Sequence, residues 1–521
     1  MPFPNKITAN GDLLFGGEAP AFMAPPNPVF EPTPNSNVRY TPEPDMNVLN
    51  IRMCKSTDRG VTWAEQDAAN APLMPADGSG GTGFIQVYEF INACMDPASK
   101  IIYTCYFDPA SFNIALAPFD TKTDKWLPFI ISTLSYLPTA ANQFFNSGSF
   151  VTVFRPNDRA VWVWFYGGGA DANDVATVWG AKCLVTGAGT GVWDLALTRF
   201  AGTLHDGIEW SQGGAGIDNA GNIHYWVLRH YSGFGATAHT TQHPDGLGNK
   251  IIDSLVLDTG GAGYKAGTVS LTVFVAGVGN FFGSANIAVD GGPVVSLNVP
   301  PGLIGTSYLA VQPDPTVGIN KSGNNADLMH YVLHPDNSFA GPQFVLHDPF
   351  QIIFPAAITC TPDGVLLSSC NTGSNVGGPR HLLRALAADA PVWEDLTPAS
   401  IQEPGFASLI SLIHRAVDGL DYVVFAIANA GNGNTDYFYA TSPGIGKPFG
   451  ASVLIGSILA TDPNGNGKTL VASVFDDLGL TFPYGLGAGF PAIGMGFFEL
   501  GLPVPPPVLT LTFKGYKVYP R

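Results

Sequence analysis

The sequence predicts an all-β chain, and three observations lead there. Helical periodicity is scarce, and short runs of Val, Ile, Phe, Tyr and Trp alternate with clusters of turn-forming residues. Glycine (62) and proline (43) are abundant enough to demand many turns, yet fall short of the ~25–30% that marks disorder. The third observation is a repeat. "FINACMDPASKIIYTCYF" (90–107), "FVTVFRPNDRAVWVWFY" (150–166), "GGAGIDNAGNIHYWVL" (213–228), "PAAITCTPDGVLLSSC" (355–370) and "SLISLIHRAVDGLDYVVFAI" (408–427) each read as strand, polar turn, strand. Asn, Asp and Gly supply the turn and left-handed conformations such hairpins need. Apart from one long gap, the hairpins begin about 55–65 residues apart, the period of a four-stranded unit. This predicts a β-propeller of about six blades, with seven as the alternative.

Taken in chain order, residues 1–45 hold a Pro-rich run expected to be an extended arm lying on a neighbour. Residues 46–235 carry the first blades, and 321–521 the remainder, ending in "VLTLTFKGYKVYP" (508–520), a candidate closing strand. After several hairpins a second polar turn ends in Trp: "FDTKTDKW" (119–126), "TGAGTGVW" (186–193) and "AADAPVW" (387–393). The long gap holds an insertion, residues 236–320. It alternates in short strands and echoes itself in "GGAGYKAGTVSLTV" and "PPGLIGTSYLAVQPDPTV", so it reads as a small β-domain planted in a blade, where insertions are tolerated.

Composition removes some function classes. Charged residues are only 12% of the chain, about half the usual ~25%. The net charge is −17 with no Lys/Arg-rich run, so nucleic-acid binding is not expected. The N-terminus lacks a basic start and an apolar h-region, so no signal peptide is expected. "FPYGLGAGFPAIGMGFF" (482–498) is uncharged but full of Gly and Pro, and reads as buried irregular packing rather than a membrane span. The six cysteines form no CxxC and no Cys/His cluster, and Cys360 and Cys370 lie out of register across their hairpin. Buried free thiols, and synthesis in a reducing compartment, follow.

"STDRGVTW" (56–63) closes one hairpin. Ser56, Asp58, Gly60, Thr62 and Trp63 occupy all five fixed positions of the Asp-box, and on this stretch the chain resembles the sialidase-like propellers. The physics fits a turn: Asp58 accepts backbone N–H bonds, Gly60 supplies a positive φ, and Trp63 packs beneath the hairpin. In that family the boxes lie away from the active site and are structural. The family's catalysis rests on an arginine triad, a Tyr/Glu pair and an Asp. "FRP" at Phe154-Arg155-Pro156 departs from the family's Phe-Arg-Ile-Pro and follows the box instead of preceding it, so no catalytic role passes to Arg155. Arg52, Arg155, Arg229, Arg384 and Arg415 lie in or beside predicted strands. They either converge on one carboxylate-binding centre or make scattered bonds between blades, the reading preferred. The insertion's Gly-Gly-x-Gly-Tyr unit and "ANIAVDGGPVVSLNV" resemble small β-repeats of bacteriophage tail and adhesin proteins.

The candidate ligand-binding residues are aromatic. Trp162, Trp164 and Tyr166 alternate and share one strand face; His224, Trp226 and Tyr231 belong to an aromatic run beside the insertion. Either set could stack on a sugar ring, and for both the competing reading is packing between sheets. His239, His243 and Asp245 suggest a metal site without fixing its geometry. "DPNGNGKT" (462–469) lacks both the Glu of a calcium loop and the first Gly of a phosphate loop, and reads as a polar turn. No metal and no cofactor is expected.

These readings lead to a non-enzymatic structural protein of a phage virion, a tail, fibre-attachment or decoration component. It would be made in host cytoplasm, contacting other virion proteins and copies of itself, and host-surface glycan in addition. The alternatives are a glycan-active, sialidase-like glycosidase, which needs paired carboxylates or an arginine triad, and a stand-alone carbohydrate-binding propeller.

Overall fold

The computed structural model describes residues 6–501 apart from the stretches 15–28, 58–63, 74–91, 134–150, 168–176, 202–208, 397–406, 459–473 and shorter loop segments. The described residues form an all-β, propeller-like arrangement of eight small antiparallel sheets. In chain order the first sheet runs from Lys6–Ile7 to Ala64–Gln66, the second from Asn92–Asp96 to Ile130–Ile131, and the third from Val151–Arg155 to Thr198–Ala201. The fourth joins Glu209–Ile217, Ile223–Tyr231, Asn325–Leu333 and Phe339–Asp348. The fifth spans Phe354–Pro355 to Glu394–Asp395, the sixth Ala407–Arg415 to Val453–Ile458, and the last Val474–Asp476 to Gly494–Gly501. A separate seven-stranded sheet is made by the strands from Phe234–Pro244 to Val317–Lys321, between two strands of the fourth sheet.

The five repeated hairpins all form. Two of their turns show the chemical cause directly. At 218–222, Asp218 Oδ1 accepts the N–H groups of Ala220 (2.9 Å) and Asn222 (2.8 Å), while Gly221 takes φ +85°, which a side chain resists. Asp96 plays the same part at the turn before Ile101–Phe107, accepting from Ala98 at 2.9 Å.

The core lies in slabs between consecutive sheets. Met53 and Ile51 meet Ile102 and Phe119 between the first and second, and Cys105 and Leu116 meet Val163 and Cys183 between the second and third. Trp162 and Trp164 meet Tyr225 and Val227 between the third and fourth. Trp226 and Leu328 meet Leu366 and Leu383 between the fourth and fifth, and Leu367 meets Val423 between the fifth and sixth. Two-sided burial explains why these strands read as near-continuous apolar runs. The tryptophans that end the second turns reach for other strands. Trp193 donates to the Ile130 carbonyl of the second sheet (2.9 Å), Trp393 packs on Trp226 of the fourth (4.6 Å between ring centres), and Trp126 sits edge-on to Phe119 (5.1 Å).

Polar bridges stitch neighbouring sheets together at their turns. Tyr40 and Lys55 both reach Asp124, each at 2.6 Å, and Arg159 pairs with Asp96. Arg155 crosses to the His334 carbonyl (2.8 Å), and Arg384 reaches Ser442 and the Lys447 carbonyl, each at 2.8 Å.

Some expectations need adjusting. Within the segment read as an arm, Arg39–Asp45 pairs with Asn50–Ser56 along its whole length. Pro42 and Pro44 are two apart, so their missing N–H groups lie on one edge of the strand, and pairing on the other edge is unaffected. The Gly/Pro-rich stretch 482–498 is not irregular throughout: Gly479–Leu486 pairs with Gly494–Gly501. Residues 508–520 lie outside the described residues. Among the described residues no helix is long and apolar enough to cross a membrane.

Candidate functional site

Of the six residues singled out for ligand binding, Trp162, Trp164, His224 and Trp226 lie inside the slabs. Trp162 and Trp164 are 3% and 0% exposed and stack on each other at 5.8 Å, and Trp164 also stacks on Tyr225 at 5.0 Å. Arg155 and Lys182 cover Trp162 at 5.4 and 5.7 Å. The side chain of Tyr166 lies outside the described residues. His224, Trp226 and Tyr231 are all buried, and Trp226 donates its indole N–H to Ser368 Oγ at 2.8 Å. The rings of Trp162, Trp164, His224, Trp226 and Tyr231 are therefore covered by protein. In the Asp-box, Ser56 is buried at the end of its strand, while Asp58, Gly60, Thr62 and Trp63 lie outside the described residues; the strands on either side pair antiparallel, with Lys55 opposite Ala64.

Three of the five arginines, Arg155, Arg229 and Arg384, are each engaged with different carboxylates, and the side chain of Arg415 lies outside the described residues. Arg155 forms a bidentate pair with Asp158 (2.9 and 2.6 Å), Arg229 bonds Asp327 (2.7 Å), and Arg384 faces Asp421 (3.3 Å) and Glu394 (3.4 Å). The His239–His243–Asp245 set does not assemble either. His239 pairs with Asp258 (2.6 Å), His243 with Asp253 (2.7 Å), and Asp245 caps its own turn through Leu247 and Asn249. Among the described residues no group of three or more His, Cys, Asp or Glu is placed to hold a metal ion. Five cysteines, Cys54, Cys94, Cys105, Cys183 and Cys360, are buried thiols, and burial pushes the Cys183 thiol up to about 12.

Among the described residues, a dense constellation of titratable groups is centred on Asp327, where the fourth sheet meets the seven-stranded sheet. Register builds it: Arg229, Asp327 and His347 lie directly opposite one another on three adjacent strands. Tyr231, two residues beyond Arg229, shares its face. The seven-stranded sheet adds Lys265 and Asp290. Asp327 is 0% exposed and accepts from Arg229 (2.7 Å), Tyr231 (2.7 Å), His347 (2.7 Å) and Lys265 (3.1 Å). Asp290 takes a second contact from Lys265 (3.1 Å) and the Ala266 N–H (2.9 Å). Lys265 and Arg229 also stand over the Tyr231 ring, at 4.8 and 5.0 Å.

Two carboxylates and two permanent cations balance. Burial works against the charge on Asp327, yet the four donors hold its carboxyl below the usual carboxylate range. Burial, followed by the hydrogen bond to Asp327, raises the Tyr231 hydroxyl, which stays protonated. His347 bonds Asp327 through Nδ1, which leaves Nε2 as its other polar atom, and its side chain is 32% exposed. The arrangement can lock two sheets together; it also presents an imidazole oriented by a carboxylate.

A second buried chain runs through the slab between the fourth and fifth sheets. His224 Nε2 contacts Asp218 Oδ2 (3.2 Å), and its Nδ1 lies 3.1 Å from His330 Nε2, with the rings stacked. Burial, then the neighbouring His224, depresses His330 to about 3. Sequence reading reached Arg229, Tyr231 and His224 individually but missed Asp327, His330 and His347. The one local signal was the Arg-x-Tyr spacing on a strand.

No protein-family model matches the chain, and no curated protein sequence matches it. Among solved structures it is similar to the polysaccharide lyase Uly1, with 11% identity, a TM-score of 0.41, and coverage of 89% of this chain and 88% of that one. It is also similar to a prolyl endopeptidase, with 10% identity, a TM-score of 0.30, and coverage of 88% and 54%. An endo-arabinase from Bacteroides thetaiotaomicron shares 11% identity at a TM-score of 0.24, over 72% of this chain and 94% of that one. Likeness at this level carries no activity to the chain.

Proposed function

We propose that the chain is a non-enzymatic, contact-making protein, a seven-bladed β-propeller with a small β-domain inserted in its fourth blade. It serves as a structural component of a bacteriophage particle, joined to other virion proteins and to copies of itself. The observation that carries the reading is where the reactive groups are spent. Arg155 is engaged with Asp158 in its own hairpin and with the His334 carbonyl of the next sheet, Arg384 with Asp421 of the next sheet, and the candidate tryptophans fill the slabs. Two further features support it. Large apolar side chains of the inserted domain stand in solvent, with Leu247 87%, Val289 62% and Val295 59% exposed, and contact with a second protein would cover them. The low charge content suits a protein that packs against others. Imaging and mass spectrometry of the native particle test this: the chain is expected at fixed stoichiometry in a symmetric ring, and its absence from purified particles would overturn the virion role.

One observation favours a second reading, a glycan-active enzyme: the half-exposed His347 held by the buried Asp327. Turnover of neutral or acidic polysaccharides that disappears in His347→Ala, with unchanged thermal unfolding, would decide for the enzyme.

A further inference from the structure

The inserted sheet has two unlike faces. Val273, Ala285, Ile287 and Val294 turn inward to its core, whereas Phe282, Ser284 and Asn286 alternate with them and turn outward. Register brings Thr268 and Ser296 to either side of Asn286, and Asn298 opposite Ser284. The outward side chains hold one another in place. Thr268 donates to Asn286 Oδ1 (3.0 Å), Asn286 donates to Ser296 Oγ (3.0 Å), and Asn298 donates to Ser284 Oγ (2.8 Å).

What remains unused decides what this face can take. Each serine hydroxyl accepts a bond and keeps its own hydrogen to donate. Each asparagine keeps a second N–H, and Asn298 keeps its carbonyl oxygen. Donors and acceptors thus alternate over a fixed surface, with side-chain entropy already lost. None of these outward residues is charged, so an anionic ligand finds no counter-charge on them. An apolar protein surface would leave the amides and hydroxyls dry, at roughly 1–3 kcal/mol each. Phe282, 74% exposed, adds a flat apolar ring beside the polar grid.

We propose that this face binds a neutral glycan. Phe282 stacks under the apolar side of a sugar ring, and Asn286, Ser296, Ser284 and Asn298 bond its hydroxyls. The proposal rests on the contact-making reading of the protein and names the ligand class for its inserted domain.

The test is a glycan panel carrying neutral glucose, galactose and N-acetylglucosamine oligomers beside sialylated, uronic-acid and sulfated ones, followed by calorimetric titration of the best neutral oligomer. The full chain is expected to select a neutral oligomer. Phe282→Ala is expected to weaken binding about tenfold or more, equivalent to about 1.4 kcal/mol, and Asn286→Ala severalfold, with thermal unfolding unchanged because both side chains are exposed. No binding to any neutral oligomer, preference for an acidic one, or equal binding by Phe282→Ala would each overturn the proposal. Particle imaging stays independent of these outcomes: the chain found in the particle without glycan binding removes the ligand and keeps the virion role, and the reverse result removes only the latter.

Discussion

Asp327 shows how much one carboxylate can hold. It is fully buried under four donors, two of them permanent cations, whereas Asp290, in the same network, has a side chain 35% exposed. Removing one partner of a buried ion pair leaves uncompensated charge at a cost of ~3–5 kcal/mol, whereas a partly exposed pair contributes under ~1 kcal/mol. Asp327→Asn is therefore expected to lower urea stability by several kcal/mol, and Asp290→Asn by a small fraction of that; equal losses would contradict the burial argument. His330 supplies a pH dependence. Its folded pKa, about 3, lies below the ordinary 6.5, so the unfolded chain takes up the proton first as pH falls. Its contribution is complete above about pH 6.5 and is lost progressively toward pH 3. Asp218, held low despite its burial by His224 and Asn222, acts in the same direction at more acid pH. Unfolding free energies from urea titrations between pH 7 and pH 5 should fall by up to about 1.4 kcal/mol per pH unit, and His330→Gln should flatten that slope. At this scale sequence reading was partial. The alternation of Trp162 and Trp164 announces a shared face, but the ring that covers it, Tyr225, belongs to another sheet. Asp327 stands nearly a hundred residues from Arg229, and no local pattern joins them.

At the scale of elements the sequence was most legible, because turn chemistry is local. Asp218 and Gly221 specify a hairpin wherever the sheet ends up. Contact between sheets is not local, and Gly216 is the clearest case. A Cβ there would lie 1.6 Å from the Ile358 carbonyl oxygen, so the fourth and fifth sheets meet backbone to backbone at this point. Gly216→Ala is expected to cost about 3 kcal/mol or more, visible as a lower urea midpoint. A variant as stable as the parent would show that the two strands can part there freely. Nothing in "GGAGID" distinguishes Gly216 from its neighbours, since the atom it must avoid comes from a strand far along the chain.

For the whole molecule, the separate seven-stranded sheet is joined to the fourth at one seam. Tyr231 and Asn325, the residues on either side of it in the chain, are opposite one another in a paired ladder that continues to Ile223 and Leu333. Replacing residues 232–324 with a two-residue Asn-Gly turn should close that ladder into an ordinary hairpin. The remaining chain is expected to fold with its β-rich circular dichroism intact; failure to fold would show that the insertion is required by the sheet it interrupts. The network around Asp327, which draws on both sheets, became visible only once the strands were paired.

That ladder also sets a timetable. On the ribosome, Ile223–Tyr231 emerges with Trp226 uncovered, because Leu366 and Leu383, which pack on it, and its partner strand Asn325–Leu333 are still unsynthesised. At ~5–20 residues per second, the roughly ninety intervening residues take about 5–20 s to appear. During that interval a half-finished sheet waits with an open edge, within reach of other nascent chains, until Asn325–Leu333 emerges and pairs with it.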